Sequence, residues 1–267
     1  MELIKNPDDV NNLNNNRLLG NPELTNSEIQ FNGINNILVC EGSITLRNSK
    51  IIFQGNNSIV YLSYTKHDYN LNVFVRGDST IFIGKNNEFG STLNINIQEH
   101  QNLIIGDDGA FGNGITIRTC DAHPIYDLED KKRINFSESI FIGDHVWVDH
   151  FSYIPRGVKI GSGAIVGIHS VLPPSVTVKS NTYVRGNPTS LVKANVFFTK
   201  DFTGVYGAED TLNFAYYKSD VFQYENNEET LSLDEIDDIL KDLTVDERLD
   251  FVEKLFIKNK RKNRFYQ

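Results

Sequence analysis

Large apolar residues recur at every sixth position over residues 136–189. The run comprises Phe136, Ile142, Val148, Ile154, Ile160, Val166, Leu172, Val178 and Val184. Small or β-branched residues, such as Val146, Val158 and Ala164, follow most of them four positions later. A period of six fits neither an amphipathic helix nor an alternating strand. It predicts an all-β coil of short strands joined by tight turns, in which each side buries one large and one small side chain.

The same stretch resembles a known family. The hexad at residues 142–147, Ile-Gly-Asp-His-Val-Trp, and the Gly-Asn-Pro at residues 186–188 are similar to motifs of the sugar O-acetyltransferases among the hexapeptide-repeat acyltransferases. The resemblance implies a left-handed parallel β-helix with three hexads in each coil. Its handedness comes from the resemblance alone, because parallel crossovers are otherwise right-handed.

The pattern divides the chain into four segments. Residues 1–33 are polar and rich in asparagine, and we expect a loose N-terminal segment with at most one short helix. Residues 34–194 are expected to form the β-helix, with irregular early coils and a frame that slips by four residues between Ile95 and Ile105. Residues 195–230 form an aromatic segment that folds back over the coil. Residues 231–267 form a helical hairpin and a basic tail.

Two sequence signals define the C-terminal hairpin. Ser232 and Thr244 are each followed three positions later by Glu, which is the capping-box pattern at a helix start. The basic run from Lys258 to Arg264 is expected to be a solvated tail, with contact to an anionic membrane or polymer as the alternative.

One insertion interrupts the repeat. The step from Ile105 to Ile142 is too long for a single coil, and we assign the excess to a loop at residues 119–135. Loops that leave a rigid scaffold are frequent sites of function. This loop contains His123, followed directly by Pro124.

His123 and Trp147 are the candidate catalytic residues. The sugar O-acetyltransferases place their catalytic histidine before a proline in an inserted loop, ahead of an Ile-Gly-Asp-x-Val-Trp coil. The pair most closely resembles that of the polysialic-acid O-acetyltransferases of bacterial capsule synthesis, in which both residues belong to the active site. For Trp147, packing at a subunit interface is the alternative role. Asp121, Asp127 and Asp149 are candidates to orient His123.

A histidine in this position suits acyl transfer to a sugar. A sugar hydroxyl is a weak nucleophile at neutral pH, and histidine is the side chain best suited to take its proton as a thioester carbonyl is attacked. The oxyanion would be stabilised by a backbone N–H or by the indole of Trp147. No acyl-enzyme is implied.

The resemblance implies acetyl-CoA as co-substrate. His150 and Ile168 occupy positions where relatives contact coenzyme A, although both are larger than the residues usual there. The candidates for contact with its phosphates are basic residues in the loop and near the end of the repeat: Arg133, Lys179, Arg185 and Lys193. Relatives of this kind form homotrimers with sites between subunits, and we expect a homotrimer here.

Composition narrows the possible partners. The chain has 267 residues and a formal net charge of −9, which disfavours broad nucleic-acid binding. Cys40 and Cys120 form no zinc or disulfide pattern. Without a signal peptide or a long apolar run, a cytoplasmic protein is expected.

Three other functions are compatible with the repeat. His145, His150 and His169 suggest the zinc site of the γ-class carbonic anhydrases, but His123-Pro124 fits acyl transfer better, and we expect no metal. A second alternative is acetylation of a free sugar, a nucleotide-sugar or a drug. The third is a non-catalytic scaffold. The leading prediction is an acetyl-CoA-dependent O-acetyltransferase acting on a sugar of a bacterial surface polysaccharide, with sialic acid as one candidate.

Overall fold

Three β-sheets, parallel except for one strand at each end, wind into the coil that the hexads predict, in a computed structural model that describes residues 1–267. Sheet A contains Glu2–Ile4, Glu28–Phe31, Lys50–Gln54, Leu71–Arg76, Leu93–Ile97, Thr116–Arg118 and Tyr153–Ile154. Sheet B contains Arg17–Leu19, Ile37–Cys40, Ile59–Leu62, Thr80–Ile83, Asn102–Ile105, Ile140–Ile142, Lys159–Ile160 and Thr177–Val178. Sheet C contains Glu88–Phe89, Ala110–Phe111, Trp147–Val148, Ile165–Val166, Thr182–Gly186 and Thr189–Ala194. Glu23–Thr25 pairs with Thr45–Arg47 in a separate two-stranded sheet. In the early coils this small sheet takes the place that sheet C has in the later coils.

Each coil passes through sheets B, C and A in that order, and the inward side chains stack into one core. Ile142, Val148 and Ile154 come from the three sheets of one coil, and each is fully buried. Neighbouring coils stack in register, as Val148 pairs with Val166. The predicted fold, an all-β left-handed parallel β-helix with an inserted loop and a C-terminal helical hairpin, is confirmed. Phe136 is the exception, because it is 61% exposed and the inward ladder begins at Ile142.

The early coils are longer than the later ones but regular. Turn side chains stack across 22 residues before the loop, as from Asn35 to Asn57, and across 18 residues after it, as from Asp144 to Ser162. The extra residues lie between sheet A and the next strand of sheet B, where strands such as Leu71–Arg76 are long. The four-residue slip seen in the sequence therefore recurs at the corner between sheets A and B in each early coil. The inserted loop leaves from the same corner.

The N-terminal segment is ordered, contrary to the expectation for residues 1–33. Glu2–Ile4 pairs antiparallel with Glu28–Phe31, a 3-10 helix spans Pro7–Asn12, and the first coil begins at Arg17 rather than at residue 34. Asparagine side chains hydrogen-bond from coil to coil in this region. The buried Asn36 amide donates to Asn16 at 2.9 Å, and its Oδ1 accepts the N–H of Ser58. Asparagines spaced by one coil were the signal that sequence reasoning missed.

Two helices cover the outer face of sheet B. Leu233–Asp242 and Val245–Val252 begin at Ser232 and Thr244, whose hydroxyls cap the first turns as expected; a π-helical turn at Glu253–Ile257 follows. The rings of Phe82 in sheet B and Phe256 stack at 4.9 Å. Because both faces of sheet B are covered, its central strands are buried throughout. No helix has the length and apolar character needed to cross a membrane.

The end of the C-terminal tail is docked on the β-helix, although Lys258, Lys260, Arg261 and Lys262 before it are exposed as expected. Arg264 is buried and pairs with Asp144 at 2.8 Å and with Asp107 at 3.0 Å. The carbonyl of Phe265 accepts the N–H of Ser162. Burial raises the pKa of the Asp107 carboxyl, and Arg264 opposes this rise. The ion pair supplies the physical reason for docking, because two neighbouring carboxylates at a corner of the coil need a cation.

Candidate active site

The loop carrying His123 is held at its base by one buried amide. Asn135 is 3% exposed, and its Oδ1 accepts the N–H of Ile125 at 2.7 Å. Its Nδ2 donates to Asp121 at 3.0 Å and to the carbonyl of His123 at 2.9 Å. The peptide of His123 is therefore fixed while its side chain stays exposed. The sequence analysis did not single out Asn135. Its position at the end of the inserted loop was the one indication of this role.

Arg133 anchors the far side of the loop. Its guanidinium donates two hydrogen bonds to Glu99, each of 2.8 Å, and lies over the ring of Phe136. These hydrogen bonds, together with one from Ser137, lower the pKa of Glu99 to about 2. Because both terminal nitrogens of the guanidinium donate to Glu99, the group cannot bind a phosphate in the same bidentate way. Arg133 therefore stabilises the loop.

The imidazole of His123 makes no hydrogen bond within the protomer. Asp121 accepts from Asn135, and Asp127 accepts from two N–H groups of its own turn. Asp149 accepts the N–H of His150 at 2.8 Å. The three aspartates considered as partners for His123 are thus engaged elsewhere.

Trp147 projects from the outer face of sheet C. It pairs with Ala110 in the coil below and with Ile165 in the coil above, and it is 36% exposed. Phe198 lies beside it, with ring centroids 5.7 Å apart. Side chains alternate along a strand, so Val148 enters the core while the indole faces outward.

His123 and Trp147 lie on different sides of one protomer. The loop leaves between Thr116–Arg118 of sheet A and Ile140–Ile142 of sheet B. In a three-sided coil the corner between sheets A and B is opposite the face of sheet C, which carries Trp147. The two clefts next to Trp147 contain no residue of the loop.

The cofactor candidates lie mostly along one edge of sheet C. His150 and Ile168 occupy equivalent corner positions in successive coils, and both are half-exposed. Arg185 stands directly above Gly167, where a side chain would collide with Cβ of Arg185 and with the ring of Tyr183. Lys193 pairs with Tyr183 in the final hairpin. Both basic residues are exposed, and neither forms an ion pair.

Lys179 is separate from this edge. It is exposed and follows Thr177–Val178 of sheet B, so it lies at the corner between sheets B and C. Arg185 and the corner residues His150 and Ile168 lie toward the corner between sheets C and A. The structure therefore does not bring Lys179 together with the other candidates.

The two histidines of the Trp147 coil have fixed hydrogen-bonding roles. Nδ1 of His150 accepts the N–H of Asn113 at 2.7 Å, so the proton of its neutral ring is on Nε2. His145 is 2% exposed, with Nδ1 2.7 Å from Asp108 and Nε2 3.0 Å from the carbonyl of Phe198. Both ring nitrogens of His145 are therefore occupied by protein oxygens.

The histidines considered for zinc do not converge. His145 is stacked between Phe198 and Phe222 at 4.2 and 4.0 Å, while His169 stacks on Phe151. No group of three potential metal-binding side chains occurs in the structure. Both ring nitrogens of His145 contact protein oxygens, so neither is available to bind a metal.

Asp108 links His145 to the aromatic segment after the repeat. Its burial by itself would raise the pKa of its carboxyl, but hydrogen bonds from His145 and Lys200 lower that pKa overall. Lys200 lies 2.9 Å from Asp108 and 3.2 Å from Glu88. This network attaches the segment that follows the repeat to the coil beside Trp147.

Comparison with known proteins finds relatives of the repeat. Residues 139–173 match the family described as bacterial transferase hexapeptide (six repeats). The matched residues include the coil that carries Trp147. The chain is 32% identical over 86 residues to the polysialic acid O-acetyltransferase of Escherichia coli O1:K1 / APEC, a match covering 32% of this chain and 27% of that protein. The chain thus aligns with about a quarter of this relative's length.

Two solved structures share the fold over a longer range. The polySia-specific acetyltransferase NeuO superposes with a TM-score of 0.65 at 28% identity, over 75% of this chain and 94% of NeuO. The polysialic acid O-acetyltransferase OatWY gives 0.50 at 28% identity, over 73% and 98% of the two chains. The predicted resemblance to hexapeptide-repeat sugar O-acetyltransferases is confirmed.

Proposed function

We propose that this protein transfers the acetyl group of acetyl-CoA to a hydroxyl of a sugar in a bacterial surface polysaccharide. The observation that carries the proposal is a pair of exposed residues, His123 on an anchored loop and Trp147 on a hexapeptide coil. Proteins that share the repeat and the fold are named polysialic acid O-acetyltransferases. Because acetyl-CoA is the donor, we place the reaction in the cytoplasm.

The proposed site lies between protomers. His123 and Trp147 face opposite sides of one coil, so a single protomer cannot bring both to one substrate. A closed trimer of identical chains can place the loop of one protomer against sheet C of the next. We therefore propose a homotrimer with three equivalent sites.

In the proposed reaction, His123 accepts the proton of the sugar hydroxyl as its oxygen attacks the acetyl carbonyl. A C–O bond forms and the C–S bond breaks, so the products are the O-acetyl sugar and coenzyme A. The protonated imidazole then returns the proton to the thiolate. A general base of this kind contributes about 10²- to 10⁴-fold to the rate. The indole N–H of Trp147 can donate to the oxyanion, and its ring can cover the reacting atoms.

The residues along the edge of sheet C suit the donor. Gly112 packs closely against the backbone and ring of His150, which offers an Nε2–H donor at this edge. Arg185 and Lys193 supply exposed cations without competing carboxylate partners. Anionic phosphates are bound by cations of this kind. Lys179 lies at the other corner and is not part of this proposed cluster.

Thioester turnover tests the proposal directly. Release of free thiol from acetyl-CoA should accelerate when the protein receives polysaccharide or oligosaccharide acceptors, compared with the same mixture without acceptor. A non-catalytic scaffold would release no thiol with any acceptor. Turnover with free monosaccharides, nucleotide-sugars or drugs alone would favour the small-molecule alternative and contradict the polysaccharide assignment.

A further inference from the structure

The basic run near the C-terminus forms an exposed turn over a small cleft. The cleft has a volume of about 320 Å³ and lies where the tail meets the corner between sheets B and C. Lys260, Arg261 and Lys262 line it together with the ring of Tyr224, and all three cationic side chains are exposed. Most charged runs are simply solvated, so the function of this one depends on how its charges are balanced.

The acidic residues of this cleft are already neutralised by other cations of the protein. Asp107 and Asp144 pair with the buried Arg264 at 3.0 and 2.8 Å, and Asp108 pairs with Lys200 at 2.9 Å. The three exposed cations of the turn have no carboxylate partner, although the chain as a whole carries a net charge of −9. The turn is therefore a local excess of positive charge, which favours an anionic ligand.

The backbone of the turn is held in place by the buried Arg264. Its guanidinium donates to the carbonyl of Phe256 at 2.8 Å and to that of Asn259 at 3.1 Å. The side-chain oxygen of Asn259 in turn accepts the N–H of Arg261 at 3.1 Å. Because the backbone is ordered before a ligand arrives, less entropy is lost when the turn binds one.

The helical hairpin that leads to the turn is acidic on its exposed face. Its first helix, Leu233–Asp242, exposes the carboxylates of Glu235, Asp238 and Asp242, none of which forms an ion pair. A flat anionic surface such as a membrane would approach these carboxylates as well as the turn, and the like charges would oppose binding. A single anionic polymer strand can contact the three cations alone. The charges therefore favour a polymer over a membrane.

The turn is connected to the proposed active site by adjoining clefts. Asp108 lines both the cleft under the turn and a second cleft, of about 580 Å³, that also contains Lys66. Lys200 is shared between this second cleft and the one lined by Trp147. The second cleft has three carboxylates and two lysines, so it adds no net positive charge. An anionic strand that extends from Trp147 would therefore meet an excess of positive charge only when it reaches the turn.

We propose that the turn formed by Lys260, Arg261 and Lys262 is a docking site for an anionic polysaccharide strand, separate from the site at which the strand is acetylated. The proposal rests on the proposed function and deepens it, because it gives the acceptor polymer a second point of contact. A long strand can occupy the turn while one of its sugars lies at Trp147, and the second contact raises the effective concentration of the strand at the reacting site. A short acceptor cannot reach both, so the turn should make the enzyme prefer long acceptors.

Replacement of the three cations tests the docking site without catalysis. The turn variant Lys260→Gln/Arg261→Gln/Lys262→Gln should bind polysialic acid, the anionic probe, at least about tenfold more weakly than the wild type does. Calorimetry on the intact protein without acetyl-CoA measures this binding. Thermal unfolding should show the variant folded, because all three side chains are exposed.

A matched control variant removes the same number and kind of charges at the other end of the coil. Lys5→Gln/Arg17→Gln/Lys50→Gln replaces two lysines and one arginine that lie outside the three clefts, with side chains 57%, 42% and 49% exposed. Its net charge equals that of the turn variant, so any effect of overall charge is the same in both. The control should bind polysialic acid as the wild type does, and dextran, an uncharged polymer, should bind more weakly than polysialic acid to the wild type.

The length of the acceptor separates docking from chemistry. In the turn variant the Michaelis constant for polysialic acid should rise at least about tenfold while turnover stays at the wild-type value, because docking affects acceptor binding and not the reacting atoms. Both constants for a sialic acid dimer should stay unchanged, since the dimer is too short to occupy both sites. A structural defect in the variant would impair both acceptors alike.

Four results would overturn the proposal: no binding of polysialic acid by the wild type, equal binding of dextran, unchanged polymer binding in the turn variant, or an equal loss in the control variant. Vesicles of phosphatidylglycerol that bind the wild type but not the turn variant, with polymer binding unchanged, would assign the turn to a membrane instead. If thiol release persists while the turn variant binds the polymer normally, only the docking site is rejected. If no acceptor supports thiol release, the acetyltransferase assignment is rejected whatever the turn binds.

Discussion

His123, His145 and His150 differ in what their ring nitrogens contact, and these contacts separate their roles. His145 is buried and both its ring nitrogens contact protein oxygens, so no substrate can reach them. Nδ1 of His150 accepts from a backbone N–H, so its exposed nitrogen is a donor. His123 is exposed and its ring has no partner within the protomer. A histidine can act as a general base only if one ring nitrogen has a lone pair that is not already engaged.

Replacement of His123 should remove the proposed base. We expect His123→Ala to lower turnover by about 10²-fold or more, because the hydroxyl would lose its proton acceptor. The melting temperature should stay unchanged, since Asn135 holds the loop through the backbone carbonyl of His123 and not through its ring. Steady-state kinetics and thermal unfolding measure the two effects. Near-normal turnover in a folded variant would exclude direct transfer through this residue.

Loss of a proposed phosphate contact should affect donor binding more than chemistry. Arg185→Ala and Lys193→Ala should each raise the Michaelis constant for acetyl-CoA while changing turnover less, because such contacts serve ground and transition states alike. Lys258→Ala removes one exposed positive charge from the tail and provides the matched control. An unchanged Michaelis constant in both variants would mean that the nucleotide end of acetyl-CoA binds elsewhere on the protein.

Glu99 should make the loop sensitive to acid. Hydrogen bonds from Arg133 and Ser137 lower its pKa from 4.5 to about 2, so its stabilising effect is complete above the unfolded value and is lost as pH falls between these two values. Glu99→Gln should therefore lose less unfolding free energy than wild type over this range. Denaturant titrations at about pH 6 and about pH 3 measure the difference. Equal losses in both proteins would contradict it.

At the scale of elements, the C-terminal tail is part of the folded body. Its hairpin buries the outer face of sheet B, and Arg264 reaches Asp107 and Asp144, which lie at neighbouring coil corners. The tail therefore links two neighbouring coils, in addition to the hydrogen bonds that already join them within the β-helix. This contact also explains why the last residues of a basic run are buried while the first are exposed.

Removal of the buried cation should destabilise the whole protein. Arg264→Met leaves two neighbouring carboxylates without their partner, and we expect a loss of about 3 kcal/mol in unfolding free energy. Arg261→Met, a neighbour in the same run with an exposed side chain, should change it by less than about 0.5 kcal/mol. Chemical denaturation of both variants measures the contrast. Similar stability of the two would mean that the tail contributes little.

At the scale of the whole molecule, the opposite placement of His123 and Trp147 determines what an active unit requires. A lone protomer would expose each residue without the other. Each proposed site takes its base from one chain and its tryptophan from another. The activity should therefore depend on assembly even though each chain carries its own complete core.

Mixed trimers can test the shared site. Neither His123→Ala nor Trp147→Ala trimers should contain an intact site, but random assembly of equal amounts should restore about one quarter of wild-type sites. Co-refolding followed by thiol-release measurements tests this, with each variant refolded alone as the control. Activity no greater than the average of the two variants, in mixtures shown to exchange subunits, would place both residues in one chain.

The sequence by itself determined the architecture and the candidate pair. A period of six selects the residues that share the interior, and the break in that period locates the loop carrying His123. Capping boxes located both helices of the hairpin. These features are local or periodic, so they can be read from spacing. The regular 22-residue coils were also present in the sequence, in the spacing of asparagines.

Only the tertiary structure decided which residues meet. Asp144 and Arg264 are separated by 120 residues, and His145 and the carbonyl of Phe198 by 53, so no period in the chain relates either pair. A repeat specifies which side chains point inward, but the partners of outward side chains depend on how the segments after the repeat fold back onto it.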